Sequence, residues 1–211
     1  MKSILTLAGL VAASTVSGLA LVKTPNELTW TGEVVPGQGP VTFAGDAQSI
    51  YRQILKANPD YKASPRDAAS AVSAASAASS LSGLTRRENP SPVSDDFTCA
   101  YGSYVDVTPI DVGIKQLYNI GAGACTAPAG APGAGGCTRL TCSSNASIWL
   151  CNDNPFAVSI PCTLIADNAV QLLIECQTTT YVGGNTWYST VRGQIFSSNH
   201  MWNVIIDTNV C

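Results

Sequence analysis

The residues with the most chemistry to offer are the eight cysteines of this 211-residue chain, all of which lie after residue 98. Cysteines at this density either pair as disulfides or hold zinc as thiolates. Cys137 and Cys142 resemble a zinc-ligand pair, but no second close pair supports them and the single histidine is distant. We therefore predict disulfides and no metal or cofactor, with a pairing that spacing alone cannot choose. The cysteines are Cys99, Cys125, Cys137, Cys142, Cys151, Cys162, Cys176 and Cys211.

Side chains suited to enzymatic catalysis are sparse. A nucleophilic hydrolase needs a base beside its nucleophile, most often a histidine, and His200 stands in an apparent Ser-Asn-His turn. The sequence has no Gly-x-Ser-x-Gly motif and no phosphate-binding glycine loop. We predict that the protein is not an enzyme and has no catalytic residues. A secreted ribonuclease that uses His200, Glu175, Arg192 and Tyr188 as acid, base and phosphate clamp is kept as an alternative.

Exposed aromatic side chains would support a different chemistry, because they can stack on sugar rings. Trp187 and Tyr188 follow a Gly-Gly-Asn turn and point to opposite faces of a predicted strand, so we expect one of them to be exposed. Trp149 and Trp202 stand among apolar strand residues, and we expect both in the core. A cell-wall carbohydrate-binding protein is therefore the other alternative.

The sequence contains one candidate site for proteolytic cleavage and one for N-glycosylation. Arg86 and Arg87 form the dibasic pair that kexin- or furin-type proteases cut in exported chains, and they precede every cysteine. The pair follows an Ala/Ser-rich stretch, 62–84, which has almost no large side chains to offset the entropy of ordering it. We predict cleavage after Arg87 by a processing protease of the secretory pathway. Asn145, in Asn-Ala-Ser, is the one N-glycosylation acceptor and lies at a predicted turn.

The first 20 residues have the pattern of a secretory signal peptide, with a basic residue at position 2, an apolar run over 4–13 and small residues near position 20. The run is shorter than the roughly 20 apolar residues of a spanning helix, and no later stretch is long enough, so we predict no stable membrane insertion. The chain divides into a signal peptide (1–20), a pro-segment (21–87) and a mature cysteine-rich domain (88–211). We expect the mature domain to be secreted and extracellular.

Charge separates along the same boundary. Residues 21–87 are slightly basic, whereas residues 88–211 carry nine acidic side chains against three basic ones. Nucleic acids and anionic membranes draw much of their binding from clustered lysine and arginine. The composition therefore argues against a nucleic-acid partner for the mature domain.

The pro-segment has the pattern of two short strands and a helix. Residues 28–35 and 41–43 read as extended, and Asp46 is the predicted N-cap of a helix that stops at Asn58. This single amphipathic helix has too little beside it to bury its apolar stripe. We predict that it docks on the mature half before cleavage, as a folding aid or a mask. The stripe consists of Ala47, Ile50, Tyr51, Ile54 and Leu55.

In the mature domain we predict a helix after a first strand over 97–107. Thr108 is the expected N-cap, with Pro109 at the first helical position, and Gly121 ends the helix. Asp106 and Asp111 flank this start, where capping is a simpler role than that of a glycosidase acid pair. The buried stripe is expected to comprise Ile110, Ile114, Leu117 and Tyr118.

The rest of the mature domain completes a β-α-β-β-α-β-β order. After a Gly/Ala/Pro-rich loop, a hairpin turns at Ser143-Ser144-Asn145, and a second helix runs from about 159–163 to about Gln177. We predict an α+β fold, a disulfide-stapled two-layer α/β sandwich with two helices on one face of a mainly antiparallel sheet. The predicted strands are 97–107, 139–142, 146–151, 186–196 and 202–206, and the second helix should bury Ile165, Ala169, Leu172, Leu173 and Cys176.

Several strings resemble fungal small secreted cysteine-rich proteins of the effector type, which carry a processed pro-segment. These strings are CTRLTCSSNASIWLCNDN at 137–154, WNVII at 202–206, LTWTG at 28–32 and AQSIYRQI at 47–54. The predicted order of elements is similar to the α/β sandwich of virally encoded fungal killer toxins and of effectors that share that fold. The resemblance implies export and a fold, and it brings no catalytic motif.

Taken together, the sequence predicts a secreted, non-enzymatic effector or toxin-like protein that acts extracellularly on a host or competitor target. Its expected partner is an extracellular protein or a cell-wall glycan.

Overall fold

The structure, a computed structural model, describes residues 26–63, 96–121, 123–130, 135–184 and 186–211. The predicted signal peptide, almost all of the Ala/Ser-rich stretch and the Arg86-Arg87 pair lie outside the described residues. The described residues fall into two parts, the N-terminal segment (26–63) and the cysteine-rich part (96–211).

The N-terminal segment contains the two predicted strands and the predicted helix, and the two strands pair as a β-hairpin. Asp46 is the N-cap of the helix, and its Oδ1 accepts a hydrogen bond from the backbone N–H of Ser49 at 2.7 Å. Asn58 ends the helix, and its side-chain Nδ2 donates to the carbonyl of Val34 at 2.9 Å, which ties the helix end back to the hairpin. The elements are β1 (Thr29–Glu33), β2 (Pro40–Ala44) and α1 (Ala47–Ala57).

The cysteine-rich part contributes two more helices and the remaining strands. The strands before the second of these helices are β3 (Phe97–Thr98), β4 (Val105–Asp106), β5 (Ala124–Ala127), β6 (Gly136–Ser143), β7 (Ala146–Asn152) and β8 (Val158–Pro161). The helices are α2 (Val107–Asn119) and α3 (Cys162–Cys176). The strands after them are β9 (Thr178–Gly183), β10 (Thr186–Val191), β11 (Gly193–Phe196) and β12 (Trp202–Thr208).

The named strands form three antiparallel sheets. The largest has the order β3-β11-β12-β7-β6, a second has the order β2-β1-β5-β8, and a small third has the order β4-β10-β9. Helix α2 packs on β6 and β7, and α3 packs on β11 and β12 and against α2. The protein is therefore α+β with antiparallel sheets, as the sequence predicted.

The observed order of elements differs from the predicted one. The stretch predicted as one strand over 97–107 contains two two-residue strands, β3 and β4, in different sheets. The predicted strand over 186–196 breaks at Arg192 into β10 and β11, and Gly193 has a φ of +150° at the break. Strands β5, β8 and β9 were not predicted. An alternation of apolar and polar residues indicates only that the backbone is extended. It does not show where the chain leaves one sheet and enters another.

The start of α2 is also different from the prediction. The N-cap is Asp106, whose Oδ1 accepts from the backbone N–H of Thr108 at 2.7 Å, so Thr108 lies inside the helix. Asp111 therefore falls beyond the first turn, where partial burial raises its pKa and Lys115 opposes that shift. Both Asp106 and Thr108 are good N-cap residues, and in the structure the cap is Asp106, which precedes Thr108 by two residues.

The hydrophobic core is shared by both parts of the chain. The predicted inward stripes of α2 and α3 are buried, and β7 and β12 add the apolar side chains of the largest sheet. The same cluster includes side chains of the N-terminal segment, so the interior is not confined to the cysteine-rich part. Those side chains are Leu28, Trp30, Val34, Ala47, Ile50 and Ile54.

All eight cysteines are paired, as predicted. Two bridges hold the ends of α3, because Cys162 and Cys176 are its first and last residues. Cys211 bonds to Cys142, so this residue is tied to the largest sheet. The four bridges are Cys99–Cys176, Cys125–Cys162, Cys137–Cys151 and Cys142–Cys211.

Trp149 and Trp202, expected in the core, are only half-buried. The indole N–H of Trp149 donates to Ser147 Oγ at 2.7 Å. The fully buried tryptophan is instead Trp30, which is 1 % exposed. Within the ranges described, no helix has the length and apolar character needed to cross a bilayer.

We expect Trp30→Ala to destabilise the protein by about 3–5 kcal/mol, because it removes a fully buried indole and leaves a cavity. The free energy of unfolding should be measured by urea denaturation with the disulfides intact. Val41→Ala, a truncation of an exposed side chain on the adjacent strand β2, is the control and should cost less than about 0.5 kcal/mol. Equal losses in the two variants would show that Trp30 does not belong to the core.

Candidate functional site

The most distinctive surface of the molecule is the hairpin formed by β9 and β10. Every residue of β9 except Gly183 is exposed, as are the first three residues of β10. Both faces of this hairpin therefore meet solvent along most of its length, which is unusual because a strand normally buries one face. Gly183 and Gly184 take positive φ angles at the turn, +94° and +58°.

One face of the hairpin carries a pair of large aromatic rings. Trp187 is 64 % exposed and lies directly across from Tyr181, which is 54 % exposed. Their ring centroids are 5.1 Å apart and the planes are tilted by 58°, an arrangement that aromatic pairs favour. Next along the same face, the hydroxyls of Thr179 and Ser189 are 2.9 Å apart. This surface, Tyr181, Trp187, Thr179 and Ser189, is called the aromatic face below.

The opposite face is less apolar. Tyr188 is 46 % exposed and pairs with Thr180 across the strands, and the Thr178 and Thr190 hydroxyls are 3.0 Å apart. Such rows of cross-strand hydroxyl pairs stabilise a two-stranded ribbon and leave hydroxyl oxygens available at the surface.

The base of the hairpin is firmly held. The Cys99–Cys176 bridge lies just before β9, and β10 pairs with β4 through Thr190 and Val191. Arg192, directly after β10, donates to the carbonyls of Cys99 at 3.1 Å and Gly102 at 3.0 Å. Its guanidinium also lies 4.3 Å from the centre of the Tyr104 ring, a cation–π contact. The hairpin is thus an exposed tip on a fixed base.

The sequence prediction for this surface was partly right. Trp187 and Tyr188 do point to opposite faces, but both are exposed, whereas only one was expected to be. Tyr181 was missed, because the run of 178–182 was not predicted as a strand. Its signal was present in the sequence, since threonines, Tyr181 and Val182 form a run of residues that favour strands just before a Gly-Gly turn.

The four ribonuclease candidates lie on α3, on and directly after β10, and in the turn at 197–200. Arg192 donates to the carbonyls at the hairpin base. Glu175 Oε1 accepts a hydrogen bond from Gln171 Nε2 at 2.8 Å, and His200 Nδ1 lies 3.3 Å from Asp96 Oδ2. Tyr188 lies on the hairpin. Across the described ranges, no hydrogen bond or ion pair joins any two of the four. His200 is 61 % exposed, has a φ of +54° and lies in a turn, which confirms its interpretation as a surface turn residue.

The other candidates of the sequence analysis are also placed. Asp106 is the N-cap of α2, whereas Asp111, for which a capping role was also expected, lies inside the helix. Cys137 and Cys142 belong to two different bridges, so neither is available as a zinc thiolate. Asn145 is an exposed residue of the two-residue β6–β7 turn with a φ of +61°. Its position suits a glycan acceptor, and its glycosylation stays a prediction.

Two of the clefts in the part of the chain that the structure describes lie away from the aromatic face. One of about 710 Å³ lies between β1, the chain that follows α1 and the start of β5. The other, of about 300 Å³, lies between the start of α3 and the 197–199 turn. Neither is lined by any of the four ribonuclease candidates or by the aromatic face.

No protein-family model, curated protein or solved structure matches the chain. The interpretation of the aromatic face therefore depends on its own geometry.

We expect Arg192→Lys to lower the free energy of unfolding by about 1–2 kcal/mol, since an ammonium cannot hold two carbonyls in a fork and cover a ring as the guanidinium does. Arg139→Lys is the matched control, because Arg139 makes a single bond, 3.1 Å, to the carbonyl of Val210. Urea unfolding of both variants is the measurement. A loss no larger than that of Arg139→Lys would contradict the proposed clamp.

Proposed function

We propose that this chain is a secreted, non-enzymatic effector or toxin-like protein that binds a host or competitor component outside the producing cell through the aromatic face. The observation that carries the proposal is the exposure of Trp187 and Tyr181 together on a hairpin whose base is fixed. Tryptophan and tyrosine are the residues most enriched at the energetic centres of binding surfaces.

Burial elsewhere in the molecule strengthens this argument. Trp30 is fully buried and Trp149 and Trp202 are half-buried, so exposure of a tryptophan is not general in this fold. The Tyr181–Trp187 pair forms an apolar patch next to the paired hydroxyls of Thr179 and Ser189. On soluble monomeric proteins, exposed apolar patches with a polar rim mark interaction sites.

Secretion is supported by the disulfides. Four bridges are compatible with an oxidising compartment and uncommon in a reducing one. The acidic balance of residues 88–211 makes a protein or a neutral glycan a better partner than a nucleic acid.

The packing of the helices supports a killer-toxin-like sandwich as the finer description of the fold. Helices α2 and α3 contact each other, and between them they contact four of the five strands of the largest sheet, β6, β7, β11 and β12. Two helices laid on one antiparallel sheet are the two layers of the fungal proteins that the sequence resembles.

A cell-wall glycan is the second candidate target. The specific observation in its favour is that the aromatic face places the Thr179 and Ser189 hydroxyls beside the rings of Tyr181 and Trp187. A sugar presents apolar C–H faces and hydroxyl edges, so rings and hydroxyls on one surface match both.

We expect Trp187→Ala to reduce binding of the fluorescently labelled protein to target cells at least tenfold, since it removes the most exposed ring of the aromatic face. Binding should be measured by flow cytometry on plant and yeast cells, with and without their walls. Phe156→Ala is the control, because Phe156 is similarly exposed at 60 % but lies outside the hairpin.

The same experiment distinguishes the two targets. Binding that persists on wall-free protoplasts indicates a protein target, whereas binding that follows the walls and is recovered on insoluble chitin or glucan indicates a glycan. If Trp187→Ala binds as well as the unchanged protein, the aromatic face is not the binding surface.

A further inference from the structure

The N-terminal segment supplies two of the four strands of its sheet. Strand β1 lies between β2 and β5, and it pairs with β5 through Thr29 with Thr126, Trp30 with Cys125 and Thr31 with Ala124. Without the segment, this sheet would retain only β5 and β8. A two-stranded remnant is marginally stable, and β5 would become an open edge.

The segment also fills part of the core. Five of its large apolar side chains are at most 4 % exposed, and α1 packs on α2 and β6 of the cysteine-rich part. The indole of Trp30 sits against Gly123, where any Cβ would collide with its Nε1. The absence of a side chain at Gly123 therefore makes room for a side chain from the other part. The five are Leu28, Trp30, Val34, Ile50 and Ile54.

Polar contacts secure both ends of the segment. Asn26 Nδ2 donates to the carbonyl of Cys137 at 3.1 Å, and the backbone of Asn26 forms an isolated parallel β-bridge with that of Thr138. At the other end, the Tyr61 hydroxyl donates to the carbonyl of Ile120 at 3.0 Å. These carbonyls belong to the cysteine-rich part, so the two ends of the segment are fastened to it independently.

No covalent bond within the described residues joins the two parts other than the chain itself. The segment has no cysteine, and all four bridges join residues between Cys99 and Cys211. If the chain is cut after Arg87, only strand pairing, apolar contact and hydrogen bonds hold the segment.

We infer that the N-terminal segment stays bound after processing, so that the working protein is a non-covalent complex of two chains and the segment is a permanent subunit. It is then neither a mask that must leave nor an aid that is discarded after folding. An interface made of a shared core and a continued sheet resembles the permanent class of protein–protein interfaces, for which we expect a dissociation constant below about 1 μM.

The test begins with the full precursor, purified uncut and then cleaved in vitro at Arg86-Arg87 with a kexin-type protease. Native mass spectrometry and size exclusion at about 50 μM, well above that limit, should give one species containing both chains. Denaturing mass spectrometry without reductant should give two separate chains, since no disulfide joins them. An Arg86→Gln, Arg87→Gln precursor is the uncut reference.

Two sets of variants locate the association in the observed contacts. Trp30→Ala should raise the dissociation constant at least 100-fold. If that precursor fails to fold, Asn26→Ala with Tyr61→Phe removes only the end contacts and should speed dissociation about 10-fold. Gln48→Ala, an exposed change on α1, is the control and should leave both quantities unchanged.

Three outcomes would overturn the inference. They are separation of the chains under native conditions, association that Trp30→Ala and the end-contact variants leave unaltered, and a precursor that resists the cut. None of them involves the aromatic face, so this inference and the proposed function can fail separately.

Discussion

The pairing of β1 with β5 is the interaction on which the rest of the structure depends. Strand β5 is covalently fixed to the start of α3 through Cys125–Cys162, and α3 lies on the largest sheet. On its other side, β5 receives β1, which carries Trp30 into the common core. The apolar interior, the four-stranded sheet and helix α3 therefore meet at one short strand of four residues, β5.

The disulfides and the hydrophobic core stabilise different parts of the chain. The bridges act within the cysteine-rich part, where they hold both ends of α3, join β6 to β7 and fasten the last residue. A bridge stabilises chiefly by restricting the unfolded chain, and so it can restrict only the chain that it closes. The N-terminal segment lies outside every closed loop, and its attachment must come from burial and hydrogen bonds. This explains why five of its large apolar side chains are at most 4 % exposed.

Local patterns were sufficient to predict much of the fold. The cap at Asp46, the turn at Ser144 and Asn145 and the buried stripes of both long helices follow from nearest-neighbour chemistry, and all are present. What could not be predicted is long-range. The break at Arg192 depends on two carbonyls some 90 residues earlier in the chain, and the burial of Trp30 depends on Gly123. For the candidate site, Trp187 could be named from its turn, whereas its partner Tyr181 required knowledge that β9 is a strand.

The separation of the aromatic face from the shared core has a physical consequence for function. The outer hairpin contributes little to the interior, since Val191 is the one residue that is buried among those described in β9 and β10. Its ring pair spans the two strands. Substitutions at the tip therefore change the binding surface at small cost to stability. The base cannot vary in this way, because Arg192 and the Cys99–Cys176 bridge define the direction in which the hairpin leaves the body. A fixed base with a replaceable tip is an arrangement in which target recognition can change while the fold is retained.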